Sequence, residues 1–136
     1  MTAINDLHMD DFYSDVAKIL TRLYFSFPRP LSLYVDDICG ALDIDEFGLI
    51  SERHQACLAT MLWLADEGYL RYAALLPNEG VDLATLTEKC LRRLQSTATI
   101  DQVSLPRIIH FQRALSGTSF DLQKVAHEFF DIHTAH

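Results

Sequence analysis

Apolar and polar residues follow a helical pattern in the first part of the chain. Between Asp10 and Phe27, apolar residues recur at steps of three and four, which places them on one face of a helix. Pro28 and Pro30 end this helix, because proline cannot continue a hydrogen-bonded turn. A short extended segment is predicted over residues 31–33.

Two more helices are predicted before the pattern changes. Residues 34–39 fit a short helix with Ser32 as its N-cap and Gly40 at its end. Residues 41–50 show no clear pattern. A third helix is predicted over residues 51–67, with the serine at its start as the N-cap.

Strand-like residues then replace the helical pattern. Residues 69–76 are rich in aromatic and aliphatic side chains, and residues 77–80 read Pro-Asn-Glu-Gly, which is typical of a turn. A returning strand over 81–86 completes the predicted hairpin. Thr87 is the expected N-cap of a fourth helix over 88–94.

The C-terminal part is predicted to be helical after a connector. Residues 95–103 are small and polar, which favours a connector without regular structure. A helix is expected over 104–116, with proline tolerated in its first turn and Gly117 at its end. Thr118 or Ser119 would cap a last helix. The apolar face of that helix consists of Leu122, Val125, Ala126 and Phe129.

Two short motifs resemble winged-helix regulators such as the MarR and PadR families. The Leu-Ala-Asp-Glu-Gly-Tyr-Leu stretch at 64–70 looks like the end of the recognition helix and the entry to the wing. Leu-Thr-Glu-Lys at 86–89 resembles the exit from the wing, although Cys90 stands where a glycine is usual. The resemblance covers about residues 9–95, and its motifs are structural, so they carry little information on the target.

The resemblance implies a mainly α fold, a winged helix-turn-helix with a small β-hairpin wing and two additional C-terminal helices. Residues 1–95 would form the winged-helix domain. Residues 96–136 would be a helical extension that packs on this domain or forms a dimer interface.

Composition narrows the class of function. The 136-residue chain has 11 basic and 19 acidic residues and a net charge of −8, which weighs against nucleic-acid binding. No apolar run is long enough to cross a membrane. An odd number of widely spaced cysteines among apolar neighbours predicts reduced, buried thiols and a cytoplasmic protein. The cysteines are Cys39, Cys57 and Cys90.

The predicted third helix presents an unusual outer surface for a DNA-reading helix. Trp63 lies at its centre among small residues, and acids outnumber cations. Two interpretations of Trp63 stay open at this point: cover by the C-terminal helices, or an exposed interface, since tryptophan is favoured at the centre of interfaces. The predicted interface residues are Glu52, Arg53, Gln55, Ala56, Ala59, Thr60 and Trp63. In a DNA-binding alternative, Arg53, Gln55 and Thr60 would face the bases.

The predicted wing carries little positive charge. Arg71 is the only basic residue on its first strand, and Asn78 and Glu79 lie at its tip. The acidic stretch from Asp36 to Glu46 could complement a basic partner, although a solvated surface is the simpler interpretation.

Catalytic and metal-binding motifs are not recognisable in the sequence. The chain has no phosphate-binding glycine loop, no nucleophile elbow and no Cys-x-x-Cys pair. His127, His133 and His136 are spaced unlike helical metal ligands, and His54 is expected to be a buried, hydrogen-bonded histidine. We therefore expect no catalytic residues, no metal and no cofactor.

The sequence thus predicts a non-enzymatic interaction or regulatory module that self-associates or binds another protein. A homodimer is one expected partner state. The alternative is a DNA-binding transcriptional regulator of winged-helix type, which rests on the resemblance of the fold.

Overall fold

The computed structural model describes residues 7–40 and 50–130. Within these ranges the chain is mainly helical, with six helices and two small antiparallel sheets. The elements in chain order are α1 (Leu7–Ser26), β1 (Leu31–Tyr34), α2 (Val35–Cys39), α3 (Glu52–Asp66), β2 (Leu70–Arg71), β3 (Ala74–Leu76), β4 (Gly80–Leu86), α4 (Glu88–Gln95), β5 (Thr97–Ile100), β6 (Val103–Pro106), α5 (Arg107–Leu115) and α6 (Ser119–Phe130).

Helix α1 provides the centre of the core. Most of its predicted apolar face is buried, and the side chains of Val16, Ile19 and Leu20 are inaccessible to solvent. Phe27, in contrast, lies beyond the helix and is exposed. Residues from α3, the first sheet, α4, α5 and α6 pack into the same hydrophobic cluster. The predicted helix over 10–27 is therefore confirmed, with its start three residues earlier.

Strand β4 is the central strand of the first sheet and pairs antiparallel with β1, β2 and β3. Gly80 begins this strand at φ +154°, and a Cβ atom there would lie 1.8 Å from the carbonyl oxygen of Leu33. Only glycine permits this approach of two strands. Leu83 has φ +53° and lies where the pairing of β4 changes from β3 to β2. The single strand predicted over 69–76 is therefore two short strands.

Three of the predicted N-caps are confirmed and one is wrong. The Ser51 hydroxyl accepts a hydrogen bond from the backbone N–H of His54, and Thr87 accepts one from that of Cys90. Ser32 does not cap α2, because this residue is within β1 and its hydroxyl donates to Asp82 instead. Thr118 accepts from the N–H of Asp121 at the start of α6, as one of the two predicted caps.

The connector predicted over 95–103 is wrong. Strands β5 and β6 form an antiparallel hairpin there, and α5 begins at Arg107, three residues later than expected. Asp101 and Gln102 connect the strands with φ values of +51° and +68°. Two successive left-handed residues make a tight hairpin turn, which usually contains glycine. Since Asp-Gln lacks that signal, the sequence pattern did not indicate a hairpin.

The two C-terminal helices pack on α1 within the same chain. Phe111 of α5 and Phe129 of α6 are fully buried in the common core. Arg107 at the start of α5 forms a bidentate pair with Glu128 of α6, at 2.7 and 2.6 Å. The Tyr13 hydroxyl lies 2.7 Å from Nε2 of His127, which links α6 to α1.

All three cysteines are free thiols. Cys57 and Cys90 are buried, as predicted, whereas Cys39 is only half-buried. None of the helices in the described ranges combines the length and the apolar character that crossing a membrane requires.

Candidate functional site: the outer face of α3

Helix α3 exposes a narrow face that has small side chains in its middle part and acidic side chains at its two ends. We call this surface the α3 face. Ser51 fixes the start of the helix, and Cys57, Met61 and Leu64 bury its opposite side in the core. The exposed residues that form the α3 face are Glu52, Gln55, Ala56, Ala59, Trp63, Asp66 and the C-cap Glu67.

Trp63 is the largest side chain on the α3 face and keeps 39% of its surface exposed. Its ring is held edge-on by Phe12 of α1 and Phe130 of α6, each with a centroid distance of 5.4 Å. Tyr69 stacks at 6.4 Å. The C-terminal helix α6 therefore contacts Trp63 on one side without covering it. Trp63 is thus partly covered by a C-terminal helix and partly exposed.

The indole N–H of Trp63 makes no hydrogen bond with the part of the chain that the structure describes. A tryptophan N–H normally has a partner when it is buried. A hydrogen-bond acceptor on a docked molecule can therefore bind the indole N–H without breaking a hydrogen bond within the chain.

Arg53 is not available as a free cation on this helix. Its guanidinium donates to both carboxylate oxygens of Asp15, at 2.7 and 2.6 Å, and its Nε lies 3.5 Å from Asp11. The Asp15 side chain is only 1% exposed. These hydrogen bonds raise the pKa of Arg53 above its ordinary value, although partial burial opposes the shift. Arg53 thus joins α3 to α1.

The other two residues of the DNA-reading alternative are also engaged within the chain. The Gln55 amide donates to the carbonyl oxygen of Ile50 at 2.9 Å. Thr60 is buried and donates to the carbonyl oxygen of Ala56, so it does not belong to the α3 face. The sequence pattern placed Thr60 on the outer arc because a helical wheel does not include the neighbours that cover a position.

The three predicted residues of the hairpin are all exposed. Arg71 is exposed on β2, and Asn78 and Glu79 are exposed in the turn before β4. Asn78 has φ +63°, a conformation that asparagine tolerates. The backbone of Glu79 accepts a hydrogen bond from the N–H of Val35, so its role in the structure is to close the turn onto α2.

Sequence reasoning missed the aromatic residues that position Trp63. Phe12 belonged to the predicted apolar face of α1, but periodicity does not say which element such a residue contacts. Tyr69 and Phe130 come from other elements, and their convergence depends on the packing of α6 against α1. Lys89 Nζ lies 4.4 Å above the Tyr69 ring and donates to the carbonyl oxygen of Glu67. The cluster thus already binds one ammonium group.

The histidines and acids do not form a metal site in the described ranges, where no group of three or more candidate ligands comes together. His54 is buried and hydrogen-bonded, as expected, to the Ser51 hydroxyl and the Gly40 carbonyl oxygen. His133 and His136, like residues 41–49 of the acidic stretch, lie outside the described residues.

Comparison with known proteins found no family model, no curated protein and no solved structure that matches this chain.

Proposed function

We propose that this chain is a non-enzymatic interaction module of winged-helix type whose α3 face binds a basic segment of another protein. The order α1, β1, α2, α3, paired short strands and β4 supports the winged-helix part, because winged helices have this sequence of elements. The observation that carries the binding part is Trp63, an exposed and rigidly supported aromatic ring on a face with small neighbours. Large aromatic residues of this kind dominate the binding energy of protein interfaces.

The charge of the α3 face supports a basic partner. Glu52, Asp66 and Glu67 are exposed, and the one cation of the helix, Arg53, is neutralised by two carboxylates of α1. Asp66 and Glu67 follow Trp63 by three and four residues, so they lie next to the indole along the helix. An indole ring beside carboxylates attracts Lys and Arg side chains through both its quadrupole and the negative charge.

Self-association is less favourable on the same face. In a two-fold pair, each copy presents an identical surface. If the helices run parallel, Glu52 meets Glu52, and if they run antiparallel, Glu52 meets Asp66 and Glu67. Both arrangements bring like charges together, which opposes a tight pair. The homodimer expected from the sequence is therefore an outcome to test.

DNA binding through α3 is also unfavourable. The side chains of Arg53, Gln55 and Thr60 are all engaged inside the chain. Reading a base with any of them would first break an internal hydrogen bond. The acidic face would also repel phosphates.

The proposal can be tested with two amphipathic helical peptides that differ only in the charge of their polar residues. One carries Lys and Arg and the other carries Glu at the same positions. Calorimetric titration should show binding of the basic peptide that weakens with salt, and none of the acidic peptide. Ala59→Arg places a cation at the centre of the face and should weaken binding by about tenfold or more. Gln112→Arg adds the same charge at an exposed position of α5 and serves as the matched control.

Three results would overturn the proposal. The first is equal binding of the two peptides, and the second is equal weakening by Ala59→Arg and Gln112→Arg. The third is a dimer in sedimentation that Ala59→Arg dissociates, which would identify a second copy as the occupant. Mixed-sequence duplex DNA at about 50 mM salt, where phosphate attraction is strong, tests the regulator alternative in the same assay.

A further inference from the structure

A second surface feature lies between the β5–β6 hairpin and the C-terminal helices. An open cleft of about 220 Å³ is lined by the β5–β6 hairpin, α5 and α6. Part of its wall is apolar and comes from all three elements. The apolar residues are Ile100, Val103, Ala114 and Val125. Its volume is below the roughly 300–1,000 Å³ of pockets for drug-sized ligands, so a ligand would have to be small.

One side of the cleft is formed by charged residues that pair with one another. Lys124 forms an ion pair with Asp101 of the hairpin turn, and its Nζ lies 3.9 Å from Asp121. A hydrogen bond from the backbone N–H of Thr118 lowers the pKa of Asp121 and keeps this carboxylate ionised. The pair of Lys124 and Asp101 joins α6 to the hairpin turn beside the cleft.

Arg113 differs from Lys124 because it has no ion-pair partner in the described part of the chain. It lines the cleft from α5, is exposed, and its guanidinium group makes no hydrogen bond or ion pair with the residues that the structure describes. A guanidinium group is suited to bind a carboxylate with two parallel hydrogen bonds.

His110 lines the cleft one helical turn before Arg113 and is only 6% exposed. Its Nε2 lies 2.8 Å from the carbonyl oxygen of Ala98. A carbonyl oxygen can only accept, so Nε2 donates this hydrogen bond, and in the corresponding imidazole tautomer Nδ1 is an acceptor. In the described part of the chain Nδ1 makes no hydrogen bond. Because His110 lines the cleft, Nδ1 is the acceptor that this residue offers to a ligand there.

We propose that this cleft binds a small carboxylic acid that also carries a hydrogen-bond donor, such as a branched-chain 2-hydroxy or 2-amino acid. Arg113 would take the carboxylate, His110 Nδ1 would accept from the hydroxyl or ammonium group, and the apolar wall would contact the aliphatic part. Residues three apart on a helix are neighbours on its surface, which matches the short distance between the two polar groups of such a molecule. This site is independent of the α3 face.

The test is an NMR titration with four probes that share one aliphatic body. The probes are 2-hydroxyisovalerate, L-valine, isovalerate and isovaleramide. The first two should bind with millimolar affinity or better and shift the amide signals of Ala114 and Val125. Isovalerate lacks the donor and should bind several-fold more weakly. Isovaleramide lacks the charge and should bind about tenfold or more weakly.

The matched variants are Arg113→Gln and Arg22→Gln. Both remove one exposed arginine charge, but Arg22 lies on α1 and does not line the cleft. Arg113→Gln should weaken the binding of 2-hydroxyisovalerate about tenfold or more, and Arg22→Gln should leave it unchanged. The proposal is overturned if none of the probes shifts these signals up to about 20 mM, if isovaleramide binds as well as the acids, or if the two variants have equal effects.

Discussion

The environment of Arg53 in the structure differs from the one that the sequence pattern predicts. On a helical wheel it is the cation of an exposed surface, and in the folded chain it is the partner of a buried carboxylate. The burial of Asp15 is the reason, because a buried charge has to be paired to avoid a large desolvation cost. The pairing removes the positive charge from the α3 face and joins this helix to α1.

The Arg53–Asp15 pair gives the first prediction. Arg53→Met should lower the free energy of unfolding by about 3 kcal/mol, because it leaves the Asp15 carboxylate buried without a partner. Asp11→Asn removes only the longer and more exposed contact and should cost less than about 1 kcal/mol. Urea denaturation of the two variants measures both values. Equal losses for the two variants would show that Asp15 does not depend on Arg53.

The thiols give a prediction for pH. Burial raises the pKa of Cys57 and Cys39, and it raises that of Cys90 to about 12. Only the thiolate reacts with alkylating agents, so a raised pKa means slow reaction at neutral pH and a rate that still increases above pH 9. Pulsed alkylation and mass spectrometry of the folded chain, with the urea-unfolded chain as control, should find Cys90 protected. Equal labelling of Cys90 in the two samples at pH 8 would contradict this account.

At the scale of elements, the β5–β6 hairpin is the part of the fold that the sequence pattern did not predict. Helices with long apolar faces, such as α1 and α6, were predictable because burial repeats at helical spacing over many turns. The caps Ser51 and Thr87 were predictable because a hydroxyl before a helix satisfies unpaired N–H groups. Strands β5 and β6 are four residues each and are joined by Asp-Gln, so neither length nor turn chemistry indicated them.

The hairpin turn gives a prediction on stability. Gln102 has φ +68°, which strains a residue with a side chain, whereas glycine adopts it freely. Gln102→Gly should raise the free energy of unfolding by about 0.5–1 kcal/mol, which thermal denaturation detects as a higher Tm. Ser104→Gly, at an exposed strand position of β6, should lower the Tm instead. If both glycine variants lower the Tm, the turn is not strained at Gln102.

At the scale of the whole molecule, the C-terminal helices determine what α3 can present. Helix α6 packs against α1 and places Phe130 beside Trp63, while Arg107 and Glu128 hold α6 to α5. The exposure of Trp63 thus depends on contacts between residues more than sixty positions apart. Sequence periodicity could identify Trp63 as unusual, but it could not determine how much of the ring would be covered. The same long-range packing forms the cleft beside Arg113, which no local motif indicated.

Trp63 is the only tryptophan of the chain, so its fluorescence reports on the α3 face directly. The central measurement is quenching of this fluorescence by acrylamide with and without the Lys/Arg peptide. Our account predicts that the free chain is readily quenched, that saturating peptide protects Trp63, and that the Glu peptide has no effect. A peptide that binds in calorimetry while leaving the quenching of Trp63 unchanged would show that the α3 face is not the docking surface.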